Sequence, residues 1–198
     1  FAGFSFGDAD LANAQRPAPK PVASGDTTTD AAGHASFPVA AQLGDFPTSQ
    51  TFTISATVTD KNQQQVSASQ SVVIHKAALY VGLRPENYVG AVGKQLDVDV
   101  RTVGTDGSAT GNVALQATVY RRVWVTAKQR NADGTEQYVS TPNDTELVSQ
   151  AVTTGAAGKG VVSFSPDKGG EYRVVAAGRD AAGNPFQSAT SVYVTAND

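Results

Sequence analysis

The sequence predicts an all-β protein: two β-sandwiches in series, the first of them incomplete. Three observations predict this. Short stretches alternating apolar and polar residues recur along the 198 residues, bounded by turn residues drawn from 19 glycines, 9 prolines and many Asp and Asn. No window repeats apolar residues at a sustained three-and-four spacing, so long helices are not expected. The closing part of the chain is written twice.

The two copies align without a gap. "FTISATVTDKNQQQVSASQSVVI" (52–74) lies over "YRVVAAGRDAAGNPFQSATSVYV" (172–194) at a constant offset of 120. Phe52 falls on Tyr172, Ile54 on Val174, Ala56 on Ala176, Asp60 on Asp180, Val66 on Phe186, Val72 on Val192 and Ile74 on Val194. Upstream, Thr28, Thr29 and Gly33 match Thr153, Thr154 and Gly158 at an offset of 125, so the second copy is five residues shorter in between, where "DKGGE" replaces "LGDFPTSQ". A loop absorbs such a change at little cost.

Each copy reads as turn, strand, loop, strand, tight turn, strand. Residues 35–40 and 160–165 are short extended segments, and 51–59 and 171–179 alternate as half-buried strands do. Asp60 and Asp180 open hairpin turns in which a short carboxylate can bond the backbone two residues on. Gly183 suits a positive φ; its counterpart is Gln63, so Asn62 is expected to take the left-handed position with the turn shifted by one.

Between the copies, "ALYVGLR" (78–84), "KQLDVDVRTV" (94–103), "NVALQATVYRRVWV" (112–125), "EQYVS" (136–140) and "ELVSQAVTT" (146–154) read as strands. With the three closing strands they make a complete sandwich over 77–198, slightly larger than the ~100 residues usual for an immunoglobulin-like domain. Residues 1–75 offer only "FAGFSF", a polar proline-rich loop over 8–26 and the three closing strands, short of the roughly seven a sandwich needs. A short linker at His75–Ala78 joins them, and the chain reads as an excised or processed piece that starts inside a domain. Four or fewer strands cannot close a two-layer core, so the open face is expected to be covered by a second copy of the chain or by a neighbouring domain.

The pattern "TT..AAGKGVVSFSP....GEYRVVAAGRDAAGNP", preceded by "YRRVWVTAKQR", resembles the macroglobulin domains of bacterial α2-macroglobulins. The resemblance implies consecutive fibronectin-like sandwiches serving as scaffold in a periplasmic or secreted protease trap, with neighbouring macroglobulin domains and target proteases as partners. Many members carry a thioester built from Cys-Gly-Glu-Gln; with no cysteine, this chain cannot supply it, and the loop at 8–26 is too short to read as a bait segment. The alternative is a bacterial surface adhesin or stalk of tandem immunoglobulin-like repeats. A sugar-binding accessory module is a third.

Net charge is −3 with 17% charged residues, which leaves no basic face for nucleic acid and no cationic helix for a membrane surface. The two histidines, His34 and His75, match Lys159 and Thr195 across the repeat and read as solvated surface positions. No glycine-flanked serine supports a Ser/His/Asp triad, so no catalytic residue, cofactor or metal is assigned. Asp8 with Asp10, and Asp97 with Asp99, are the calcium alternatives. In "LDVDV" the acids fall on the solvent face of a strand, and "DADLANAQRPAP" lacks the glycine and glutamate of a calcium loop. Trp124, on one face with Tyr120 and Arg122, could stack a sugar; Arg121 interrupts the opposite apolar face, so a bulge is expected to bury Trp124 beside the arginine stems.

Overall fold

The computed structural model describes residues 1–14 and 20–196; residues 15–19 of the expected proline-rich loop lie outside the described residues. The chain forms two compact units, Asp10–Lys76, and Phe1–Ala9 together with Ala77–Asp198. This departs from a division at residue 75: the opening segment belongs with the second unit.

Where a loop from residue 8 is expected, a short helix α1 (Ala9–Ala14) forms first, over alanine-rich residues of good helix propensity. Among its described residues the unit Asp10–Lys76 then contains one antiparallel hairpin, β1 (Gln50–Thr59) with β2 (Gln65–Ile74), in register from Gln50↔Ile74 to Thr59↔Gln65. Its two faces follow from period 2. Phe52, Ile54, Ala56 and Val58 share one face with Val66, Ala68 and Val72; the other is a Thr/Ser ladder tied by Thr53–Ser71 (3.1 Å) and Thr57–Ser67 (2.8 Å) hydroxyl bonds. The apolar face stays in solvent, Val66 being 72% exposed. Residues 35–40 pair with no strand.

The larger unit is a two-layer sandwich. Its strands are β3 (Leu79–Pro85), β4 (Val89–Ala91), β5 (Leu96–Gly104), β6 (Ala114–Arg130), β7 (Glu136–Thr153), β8 (Lys159–Phe164), β9 (Gly170–Arg179) and β10 (Pro185–Thr195). One sheet runs β3-β5-β8, the other β4-β10-β9-β6-β7, all antiparallel except β4 on β10. Val81, Leu83, Val98, Val100, Val162 and Phe164 from the first sheet meet Leu115, Ala117, Val119, Tyr172, Val174 and Val192 from the second, and all are buried. Segment 159–164 becomes a strand because β5 lies beside it, Leu96↔Phe164 to Arg101↔Lys159. Segment 35–40 has no such neighbour among the described residues.

The recurring Thr-Thr phrase has a packing reason in this unit. The Thr154 hydroxyl is buried, accepts the Val113 amide (3.1 Å) and meets the Thr102 hydroxyl (3.1 Å), whose proton is engaged at the Thr110 carbonyl (2.5 Å). The turn that follows places Gly158 at φ 68°, against the Thr102 carbonyl, where a side chain would collide. Tyr172 donates from its hydroxyl to the Lys168 carbonyl (2.8 Å), locking the corner before β9.

One strand expectation and one turn expectation are corrected. Residues 136–140 and 146–154 are parts of one strand, β7, which follows β6 without interruption except for one extra residue, Leu147, between Val119↔Val148 and Tyr120↔Glu146. Pro142 is tolerated there, opposite Trp124, because β7 is an edge strand. Asn62 does not take the left-handed position; Gln63 does, at φ 66°, in register with Gly183 at 82°. Asp60 sets that register, since Oδ1 accepts the Asn62 (2.7 Å) and Gln64 (2.8 Å) amides just as Asp180 Oδ1 accepts those of Ala182 (3.0 Å) and Asn184 (2.8 Å).

Candidate interaction surface

On β6 the alternation that buries Leu115, Ala117 and Val119 runs out after Arg122, because pairing with β9 ends at Arg122↔Glu171 while β6 continues eight residues further on β7 alone. Beyond that point β9 no longer pairs with β6. Val123, Trp124 and Val125 are about half exposed for this reason, Trp124 at 51%, which corrects the expectation that it is buried. The bulge exists, but it sits in β7 and leaves Tyr120, Arg122 and Trp124 on their common face.

Arg122 is the buried member of that row. Its Nε donates to Asp144 Oδ1 and its Nη2 to Asp144 Oδ2, both at 2.7 Å, a bidentate pair across β6 and β7. The guanidinium lies 5.5 Å from the centre of the Trp124 ring. Through its direct bonds to the carboxylate, Arg122 holds the Asp144 pKa below the ordinary value. Trp124 Nε1 donates to Glu171 Oε2 (2.8 Å), and Glu171 Oε1 accepts the Ser191 hydroxyl (2.9 Å). These groups edge an open groove of about 510 Å³ walled by Tyr88, Arg121, Trp124, Glu171 and Tyr193. Arg121 reaches its end through Nη2 to the Gly169 carbonyl (3.3 Å).

Alternation in the sequence singles out Trp124 and Arg122 but not their company. Glu171 and Tyr193 are polar or aromatic outward positions of strands whose inward residues drew the attention, and Tyr88 precedes β4, a three-residue strand too short for alternation to reveal. The groove offers aromatic edges, a fixed carboxylate and an arginine, which suit contact with another surface. The Ser191 hydroxyl is engaged at Glu171, and His34 and His75 are exposed positions of the unit Asp10–Lys76.

Three of the four acid candidates are engaged within the sandwich. Asp8 is 3% exposed and accepts Arg173 Nη2 (2.6 Å) and Gln187 Nε2 (2.7 Å), an arginine pair in place of the calcium alternative. Asp97 accepts Gln95 Nε2 (3.0 Å) and Asp99 accepts Arg84 Nε (3.2 Å), so these two carboxylates point to different partners. Asp10 lies in α1, and among the described residues no three His, Cys, Asp or Glu side chains gather as a metal site would require.

Residues 82–195 match the family model of bacterial macroglobulin domain 6. No curated protein sequence matches the chain. Among solved structures, α2-macroglobulin of Salmonella reacted with methylamine aligns at TM-score 0.66 and 16% identity, over 98% of this chain and 13% of that one. The native conformation of Escherichia coli α2-macroglobulin aligns at 0.66 and 17% identity over the same shares, and the E. coli protein activated by porcine elastase at 0.65 and 17%, over 100% of this chain and 17% of that one. The chain thus spans about an eighth to a sixth of the length of these structures, and at such identity the likeness concerns the fold.

Proposed function

The chain belongs to the bacterial macroglobulin family, and from that premise we propose that it is a scaffold segment of an extracytoplasmic, α2-macroglobulin-type trap for endopeptidases. The observation that carries the reading is the linkage: a family-matched sandwich at 82–195 follows a second copy of its own closing hairpin. In this reading 10–75 is the C-terminal part of a preceding macroglobulin-like sandwich, and within the following sandwich Asp180 fixes the start of β3 by accepting the Ala78 amide (2.9 Å). No residue of the chain has a catalytic role. Its work is mechanical: a core of β-branched side chains and long paired strands keeps its shape while other parts of a larger protein move. The exposed groove beside Trp124 and the projecting β6–β7 hairpin are then surfaces for neighbouring domains.

The test is to recover the native parent protein, determine its mass and sequence, and incubate it with a panel of endopeptidases. A chain many times longer than this one, cut at one flexible segment and retaining the protease, supports the reading. A chain of repeated sandwiches that ignores every protease contradicts it and favours a surface stalk.

A further inference from the structure

Residues Phe1–Asp8 dock on the sandwich as a short added strand. Ser5 and Leu83 exchange both backbone hydrogen bonds at 2.9 Å, which extends the β3 edge in antiparallel register and sets Phe6 opposite Gly82 and Phe4 opposite Arg84. The side chains fit that register. Phe6 fills the space above Gly82, where a Cβ would come within 2.6 Å of the ring; the Arg84 guanidinium lies 4.8 Å from the centre of the Phe4 ring, and Arg101 lies 5.7 Å from that of Phe1. The segment then crosses to the other sheet. The Gly7 carbonyl accepts the Ala189 amide (3.1 Å) and the Ser188 hydroxyl (3.1 Å), and the buried Asp8 carboxylate closes on Arg173 and Gln187. Eight residues thereby span both layers at the edge where β3 and β10 meet.

We propose that the β3 edge is a strand-addition site for an extended peptide with aromatic residues two apart followed by Gly-Asp, and that residues 1–8 are its ligand in cis. Three features make this a built recognition site. The free edge supplies backbone pairing, the Gly82 hollow with its two flanking arginines selects aromatic side chains, and Arg173 with Gln187 selects a carboxylate at a fixed distance beyond them. The ligand is separable in sequence, since the whole of Asp10–Lys76 intervenes before the sandwich resumes at Ala77. Such a segment can be exchanged for an equivalent one in trans.

A fluorescein-labelled FAGFSFGDA peptide and the full chain test this by fluorescence anisotropy. A tethered ligand acts at an effective concentration on the order of 1 mM, so for a peptide of about 10 µM affinity the unaltered chain binds roughly 100-fold more weakly than a chain whose own segment is disabled by Phe6→Ser and Asp8→Ser. Adding Gly82→Val to that variant fills the hollow and abolishes binding. Equal binding by the unaltered and disabled chains, or undiminished binding after Gly82→Val, overturns the proposal. Should the disabled chain not fold, the unaltered chain still decides. Peptide titrated to several millimolar gives a saturable isotherm and leaves the Leu83 and Ala189 amides slow in hydrogen exchange; no binding, or fast exchange at both amides beside a protected Gly82, whose amide faces β5, overturns it.

Discussion

The hairpins β1–β2 and β9–β10 are near-copies with opposite fates. They share an offset of 120, a matched set of cross-strand pairs and the same five-residue turn, down to the carboxylate that accepts two amides and the residue at positive φ. Yet Tyr172, Val174, Ala176 and Val192 are sealed against β3, β5 and β8, whereas Ile54, Val58, Val66 and Val72 are exposed. The difference teaches that local pattern and turn chemistry suffice to specify a hairpin and its two faces, and that its burial is conferred by a second layer. Period 2 says which side chains will be buried; only the opposing sheet says whether they are.

The sharpest way to break the comparison is truncation at matched sites. Tyr172→Ala is expected to cost about 3–5 kcal/mol in urea unfolding followed by circular dichroism, as for other large aromatic cavities, while Phe52→Ala costs below about 1 kcal/mol. Similar costs at the two sites would end the contrast. A smaller step isolates the corner: Tyr172→Phe, which copies Phe52, removes the bond to Lys168 and is expected to cost about 1 kcal/mol, and Phe52→Tyr to return none of it. Smaller again are the turns. Gly183→Gln is expected to destabilise by about 1 kcal/mol, and Gln63→Gly to slow exchange of the Asp60 and Gln64 amides by relieving a left-handed non-glycine residue.

Acid sensitivity gives the gentlest test. The Ala78 amide, foremost, holds the Asp180 pKa below its ordinary 3.8, and Arg122 does the same for Asp144. A depressed folded-state pKa contributes stability that is present above the unfolded value, about 3.9, and is lost as pH falls through it toward the folded one. The sandwich is therefore expected to weaken below about pH 4, and Asp180→Asn or Asp144→Asn to flatten that limb of a Tm-against-pH curve measured by calorimetry.

Much of this was legible in the residues because it is local. The alternation, the Asp-led turns and the duplicated ending follow from spacing alone. What was not legible is in one case a contest between close neighbours and otherwise depends on residues far away in sequence. Gln63 takes the left-handed position because Asp60 captures the Asn62 and Gln64 amides, which outweighs the preference of Asn62 for that region. Trp124 is exposed because β9 stops pairing two residues before it, a fact of strand length and not of its own alternation. "FAGFSF" carries no mark that its partners are Gly82, Arg84 and Arg101, at least 76 residues away. Nor does the buried Asp8 differ, as a letter in the chain, from a solvated Asp.

Native-state hydrogen exchange, resolved along the whole chain at a dilute protein concentration, tests the central claim most directly. The account predicts that β9 and β10 amides exchange only through global opening of the sandwich, and that their matched β1 and β2 amides exchange orders of magnitude sooner through local opening. Equal protection of the two hairpins would contradict it, because it would mean that the apolar face of β1–β2 already has its second layer within this chain.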